Sequence, residues 1–185
     1  VGLAENHDGS EKMKMWQQVA STVLLLWASA PHAADTALGG VPLSITLTDQ
    51  PQITVEKPDG GWYDQLVLSN SAGSDITRYQ AQVPVQVSIR NERNFRVSLV
   101  DPLVLTNEND ASLTFTTEQV GFGSSANTLQ SLGATPVDFS NSVIVGDTSM
   151  GSYLLSVSAR QPTGVLGKIS GNYAGQLVLL FEVKV

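Results

Sequence analysis

No cysteine occurs anywhere in the 185 residues. A disulfide framework, a thiolate nucleophile and a Cys-ligated zinc or iron site are therefore excluded in any redox compartment. Histidine is nearly as scarce: His7 and His32 are the only two, and both fall in an N-terminal stretch predicted below to be removed. The working domain then has no His triad, no His-ligated metal and no His proton shuttle, which leaves carboxylates, Lys, Tyr and hydroxyls for any chemistry. Charged residues make up only 15% of the chain, ten basic against seventeen acidic, for a formal net charge of −7. That balance lacks the basic footprint of a nucleic-acid partner and argues against docking on an anionic membrane. No apolar run attains the roughly 18 to 20 residues of a spanning helix. What remains is 42% hydrophobic with 16 Gly and 8 Pro, the composition of a globular chain, one domain by default, with no cofactor or metal expected.

The N-terminus reads as a targeting segment. Met13 is the first methionine, flanked by Lys12 and Lys14, and an uncharged apolar run follows from Val19 to Ala28. Small residues then lead to Ala33, Ala34 and Asp35. This is the pattern of a secretory signal peptide, too short for an anchor, with cleavage expected after Ala33 or Ala34. The predicted organisation is a non-mature segment 1–33, an N-terminal extension 34–50 and a β domain 51–185. A mature chain of about 150 residues is long enough to bury a single core without a disulfide.

From Val41 onward, alternation of period two dominates, the mark of half-buried strands. Val41, Leu43, Ile45 and Leu47 alternate with Pro42, Ser44, Thr46 and Thr48, and Ile53 and Val55 continue after Pro51. Further strands are predicted over 65–69, 82–90, 95–100, 113–117, 142–145, 153–159 and 177–185, with turn residues at 58–61, 71–74, 91–94, 107–110 and 164–171. A short helix is predicted at 126–132. Seven or more short strands at this spacing indicate an all-β, antiparallel, immunoglobulin-like sandwich.

The two ends of this domain are unusual. The last strand sets Leu177, Leu179, Phe181, Val183 and Val185 on one face and adds Val178 and Leu180 to the other. Such a strand belongs in the middle of a core, yet the chain ends on it with nothing after it to pair with its far side, so another polypeptide is expected to cover it. The strand 41–48 follows Gly39 and Gly40 and alternates cleanly, so it is suited to leave its own domain and add to a neighbour by β-augmentation.

Other constellations have a simple structural reading and a functional alternative. Trp62 and Tyr63, after Gly60 and Gly61, read as an aromatic pair anchoring a strand, with a sugar-stacking platform as the alternative. Arg90, Arg93 and Arg96, with Asn91, Glu92 and Asn94, read as solvated charges around a hairpin, with a glycan or protein contact as the alternative. Residues 107–110 lack the spacing of a calcium loop and read as a polar turn. Asp147 beside Thr148 and Ser149 has no His to complete a triad, and Glu118 with Asp138 is an unsupported acid pair.

Residues 171–175, Gly-Asn-Tyr-Ala-Gly, followed by 176–181, Gln-Leu-Val-Leu-Leu-Phe, resemble the C-terminal strand of chaperone/usher pilins. The resemblance is closest to the alpha-clade major fimbrial subunits of the colonization factor antigen I type. Ile45 to Thr48 with Gln50 to Ile53 resembles that family's donor strand and its Pro-containing switch into the first strand of the domain. Asp59-Gly60, the hairpin 87–99 with Pro102, and 153–159 also fit. The resemblance covers about half of the mature chain, and Trp62-Tyr63, 120–147 and 35–40 have no counterpart in it. It implies a sandwich lacking its final strand, completed first by a periplasmic chaperone and then, at the outer-membrane usher, by the N-terminal strand of the next copy. The donor residues would be Val41, Leu43, Ile45 and Leu47. The acceptor groove would be edged by Gly171, Tyr173, Gly175, Leu177, Leu179, Phe181 and Val183. The implied product is an adhesive surface fimbrium of copies of the chain, with a tip adhesin as a further partner. A minor or tip subunit that binds a host glycan or protein through Trp62, Tyr63 and the three arginines is the alternative. No enzymatic activity is implied.

Overall fold

The structure, a computed structural model, describes residues 40–48, 52–70 and 75–185, all within the compact unit Ala37–Val185. The expected signal peptide and its cleavage site, Gly39, Pro51 and the turn at 71–74 lie outside the described residues.

Twelve strands form among these residues: β1 Val41–Thr48, β2 Ile53–Glu56, β3 Gln65–Asn70, β4 Arg78–Arg90, β5 Asn94–Leu99, β6 Leu105–Asn107, β7 Thr114–Gly123, β8 Gln130–Ser131, β9 Val137–Ser140, β10 Val143–Val145, β11 Thr148–Arg160 and β12 Tyr173–Val183. One short helix, α1 Leu166–Ile169, sits in the β11–β12 connection, and a 3-10 turn spans Ala126–Thr128. The predicted helix at 126–132 is therefore shortened to a single turn. Its Ser125 and Thr128 side chains close a capping box, and the chain is extended again by Leu129.

The strands make a two-layered sandwich whose layers share strands at their edges. β3 pairs with β1 through Gln65–Leu68 and with β4 through Ser69 and Asn70. β7 likewise leaves β6 after Phe115 and joins β11 from Thr116 onward. Because β1 also pairs with β12, the hydrogen-bonded path β12–β1–β3–β4–β11–β7–β6 returns to β12 and closes on itself. β5 and β9 extend the layer beyond β12.

Period-two burial follows the sequence pattern. In β12, Tyr173, Leu177, Leu179, Phe181 and Val183 point inward, and Val178 and Leu180 are only half-buried. Two aromatic clusters fill the two ends of the core. At one end Tyr79, Phe115 and Tyr173 meet edge to face, with ring centroids 5.3 and 4.9 Å apart. At the other, Phe95, Phe122, Phe139, Tyr153 and Phe181 stack and cross one another at 4.9–6.4 Å. The stretch 120–147 supplies Phe122, Leu132 and Phe139 to this packing.

Asn141 ties that stretch down. It is fully buried, donates to the Val87 carbonyl and Ser149 Oγ, both at 3.1 Å, and accepts from the Tyr153 hydroxyl at 2.9 Å. Every polar atom of its side chain thus has a partner, as a buried amide requires.

Candidate functional site: the groove between β3 and β12

The N-terminal strand lies in a slot between two strands distant from it in sequence. Its parallel ladder to β12 runs from Leu43 opposite Gly175 to Thr48 opposite Leu180. On its other edge, antiparallel pairs run from Val41 opposite Leu68 to Ser44 opposite Gln65. Val41, Leu43 and Ile45 are buried at 2, 0 and 6% exposure, and Leu47 packs against the core from a half-buried position. On the outer face, Gln176 donates to Thr46 Oγ1 at 3.3 Å. Burying three such apolar side chains contributes about 5 to 9 kcal/mol before ordering costs.

The expectation that another polypeptide covers the far side of the last strand is therefore met differently in the single chain, where the chain's own β1 covers it. The orientation is also a departure from an all-antiparallel sandwich, because β1 runs parallel to β12. The cause is chain length. Only four residues separate Thr48 from Ile53, and Ile53 starts β2 opposite Ile89 near the end of β4. An antiparallel β1 would put Thr48 at the far end of the slot, about 25 Å along the strand and roughly 10 Å across the layers. Five Cα steps reach at most about 18 Å.

The walls of the slot need particular residues. A Cβ at Gly175 would stand 2.4 Å from the Val104 carbonyl oxygen, so only glycine lets β6 and its preceding loop approach β12 there. Gly171 has φ +146, and a Cβ on it would meet the Asn107 amide at 2.5 Å. Tyr173 is buried and donates its hydroxyl to the Ile169 carbonyl at 2.6 Å, which fastens α1 to the start of β12. The opposite wall, Leu66 and Leu68 of β3, is buried at 3 and 0%. Alternation marks 65–69 as a strand, but no signal in the sequence identifies it as the neighbour of β1.

The remaining candidates do not converge. Trp62 and Tyr63 are half-buried against the core with rings 5.6 Å apart, and Tyr63 donates to the Pro84 carbonyl at 2.8 Å. That places them at the level of Pro84, six positions along β4 from Arg90. Burial raises the Tyr63 hydroxyl above its ordinary range, with Asp59 adding to the shift. Arg90 pairs with Asp147 at 3.0 Å and Arg96 with Glu182 at 3.0 Å. Arg93 donates to Ser140 Oγ and to the Asn141 carbonyl.

The two acids are also apart in their bonding. Glu118 holds Arg78 and Arg160 at 2.7 and 2.9 Å, whereas Asp138 pairs with Lys184. Residues 107–110 form a turn in which Asn107 Oδ1 accepts from the backbone N–H groups of Asn109 and Asp110. Among the described residues no group of three or more acidic or histidine side chains is placed to hold a metal, and no helix is long and apolar enough to cross a membrane.

No protein-family model and no curated protein matches the chain. Among solved structures, it is similar to the CooA pilin subunit from enterotoxigenic Escherichia coli, at 15% identity and a TM-score of 0.46, over 73% of this chain and 99% of that one.

Proposed function

We propose that the chain is the structural subunit of an adhesive chaperone/usher fimbria, and that β1 is the strand it donates to the next copy. One observation carries this reading. Among the described residues, a strand with a clean apolar face closes the hydrogen-bonded circuit between β12 and β3, and only four residues lie between its end at Thr48 and the start of β2 at Ile53. An identical strand from a second copy would satisfy the same edges and bury the same side chains. The residue resemblance to alpha-clade pilins supports the same mechanism. In it a periplasmic chaperone and an outer-membrane usher hold the groove until exchange, and Val41, Leu43, Ile45 and Leu47 act as donor residues against the groove edged by Gly175, Leu177 and Leu179. On this reading the chain performs no catalysis and ends at the cell surface.

The test is export of the chain carrying Ile45→Asp beside the unaltered chain, with fibres scored by electron microscopy. A carboxylate in the slot would be buried without a partner, so the variant should reach the periplasm and form no fibres. Fibres of normal length from the variant would refute the donor assignment.

A further inference from the structure

Apolar side chains are exposed at both ends of the sandwich. At the end where β4 turns into β5, the edge strand β10 shows Val143, Ile144 and Val145 at 52, 59 and 62% exposure. It stands there because Val145 is opposite Thr148, which is itself opposite Arg90. At the other end, Ile76 is 69% exposed, and Val165 and Leu166 of the α1 turn are 74 and 68% exposed. These belong to one end because Gln161 donates to the Thr77 carbonyl and α1 is fastened to Tyr173 at the start of β12. Three consecutive β-branched residues exposed on a short edge strand, with no charge among them, are the feature that isolated proteins ordinarily avoid.

The orientation of an exchanged strand decides which ends meet. β1 leaves its own domain from the β10 end, since Thr48 lies opposite Leu180 and β2 begins opposite Ile89. If it entered a second copy in the parallel sense seen here, its Thr48 end would again lie at the β10 end of that copy. The two copies would then meet through the same ends, exchange strands reciprocally and close as a dimer. If it entered antiparallel to β12, its Thr48 end would lie at the α1 end of the acceptor. That contact joins unlike ends, so it does not close, and it is the only one of the two that propagates. Either sense gives the strand one parallel and one antiparallel edge, since β1 is parallel to β12 and antiparallel to β3, and a strand arriving from another copy is free of the tether that forbids the reversed sense within one chain. Four tether residues reach at most about 18 Å, so the donor's β10 end and the acceptor's α1 end are held close enough for their side chains to meet.

Resting on the fibre reading above, we infer that Val143, Ile144 and Val145 of one copy dock on Ile76, Val165 and Leu166 of the next, so that the apolar ends form a second junction beside the exchanged strand.

The full chain is refolded from denaturant at high concentration, alone and with a labelled synthetic peptide of residues 41–48. Peptide uptake reads strand exchange and sedimentation reads polymer growth. Val145→Lys and Leu166→Glu are each expected to take up peptide as the unaltered chain does, while polymer affinity falls about tenfold, the equivalent of roughly 1.4 kcal/mol. Combining them sets lysine against glutamate at every junction and should restore much of the loss, whereas Val145→Lys with Leu166→Lys should lose more than either alone. Normal uptake and unchanged polymers in all variants would overturn the end-to-end contact and leave strand exchange standing. Loss of uptake in a single variant would assign that residue to the groove and overturn it too. No uptake, or no polymer, from the unaltered chain would overturn strand exchange and this contact with it.

Discussion

Ile45 of the first strand stands opposite Leu177 of the last, in a parallel ladder, and both side chains are buried. Residues 132 positions apart thereby close the core, and the closing strand is held from both edges rather than from one. The face that points inward carries the energy. Leu43→Ala should lower unfolding stability by about 2–5 kcal/mol, while Ser44→Ala on the outer face should change it by less than about 0.5 kcal/mol. Denaturant titration of both variants checks the contrast.

Gly175 sets how close β6 comes to β12. A Cβ there would stand 2.4 Å from the Val104 carbonyl oxygen, a backbone atom that cannot swing away. Gly175→Val should cost at least the 1–3 kcal/mol typical of roughly one overpacked position. Ala174→Val, one residue away on the half-buried face, should be tolerated, and thermal unfolding separates the two.

Asn141 satisfies three polar groups at once in the interior. Asn141→Leu would leave the Val87 carbonyl and Ser149 Oγ each without that donor and should destabilise by about 1–3 kcal/mol. The Tyr153 hydroxyl retains the Ser140 carbonyl at 3.0 Å, so the near-ultraviolet signal of the aromatic cluster should weaken without disappearing.

Titration should limit stability at both extremes of pH. Asp75 is held at about 2 by hydrogen bonds from Thr77 and Arg160, and hydrogen bonds also lower Glu92, Asp110 and Asp147. A depressed carboxylate stabilises the fold above its unfolded value near pH 3.8 and loses that contribution as pH falls toward 2. Burial pushes Tyr153 up to about 12 from 10. Its folded state therefore holds the proton longer than the unfolded chain, and stability falls as pH rises from 10 to 12. Unfolding midpoints across pH should be flat near neutrality and decline in both windows, with Tyr153→Phe flattening the alkaline one.

Much of this fold is legible in the sequence because alternation is a local signal. The inward residues of β1 and β12 follow directly from period two, and so does the all-β class, except that Val185, expected on the inward face, lies beyond the end of β12 and is exposed. Strand lengths are less legible. β4 begins at Arg78 and β11 at Thr148, several residues before the apolar runs at 82–90 and 153–159, since pairing between two long strands extends through polar residues such as Gln80 and Ser152. β6, β8 and β9 have too few residues to alternate recognisably, and Phe139 matters only because the fold brings it to Phe95 and Phe122. The groove is half legible in the sequence. Its β12 edge is marked by a strand that carries apolar residues on both faces, but its β3 edge depends on long-range pairing that no local pattern encodes. The arginines and aromatics are candidates by residue type alone, and their partners lie 21 to 86 residues away, beyond any local pattern.

Strand exchange requires β1 to leave its own slot before it enters another. Ser44 and Gln65 are directly opposite across the β1–β3 ladder, the separation there suits a disulfide, and the chain has no other cysteine to compete. The measurement is polymer formation by the Ser44→Cys, Gln65→Cys chain, oxidised and reduced, followed by sedimentation. A closed monomer is expected when the bond is formed, and fibres once it is reduced. Fibres of equal length and yield from the oxidised chain would rule out strand exchange through β1.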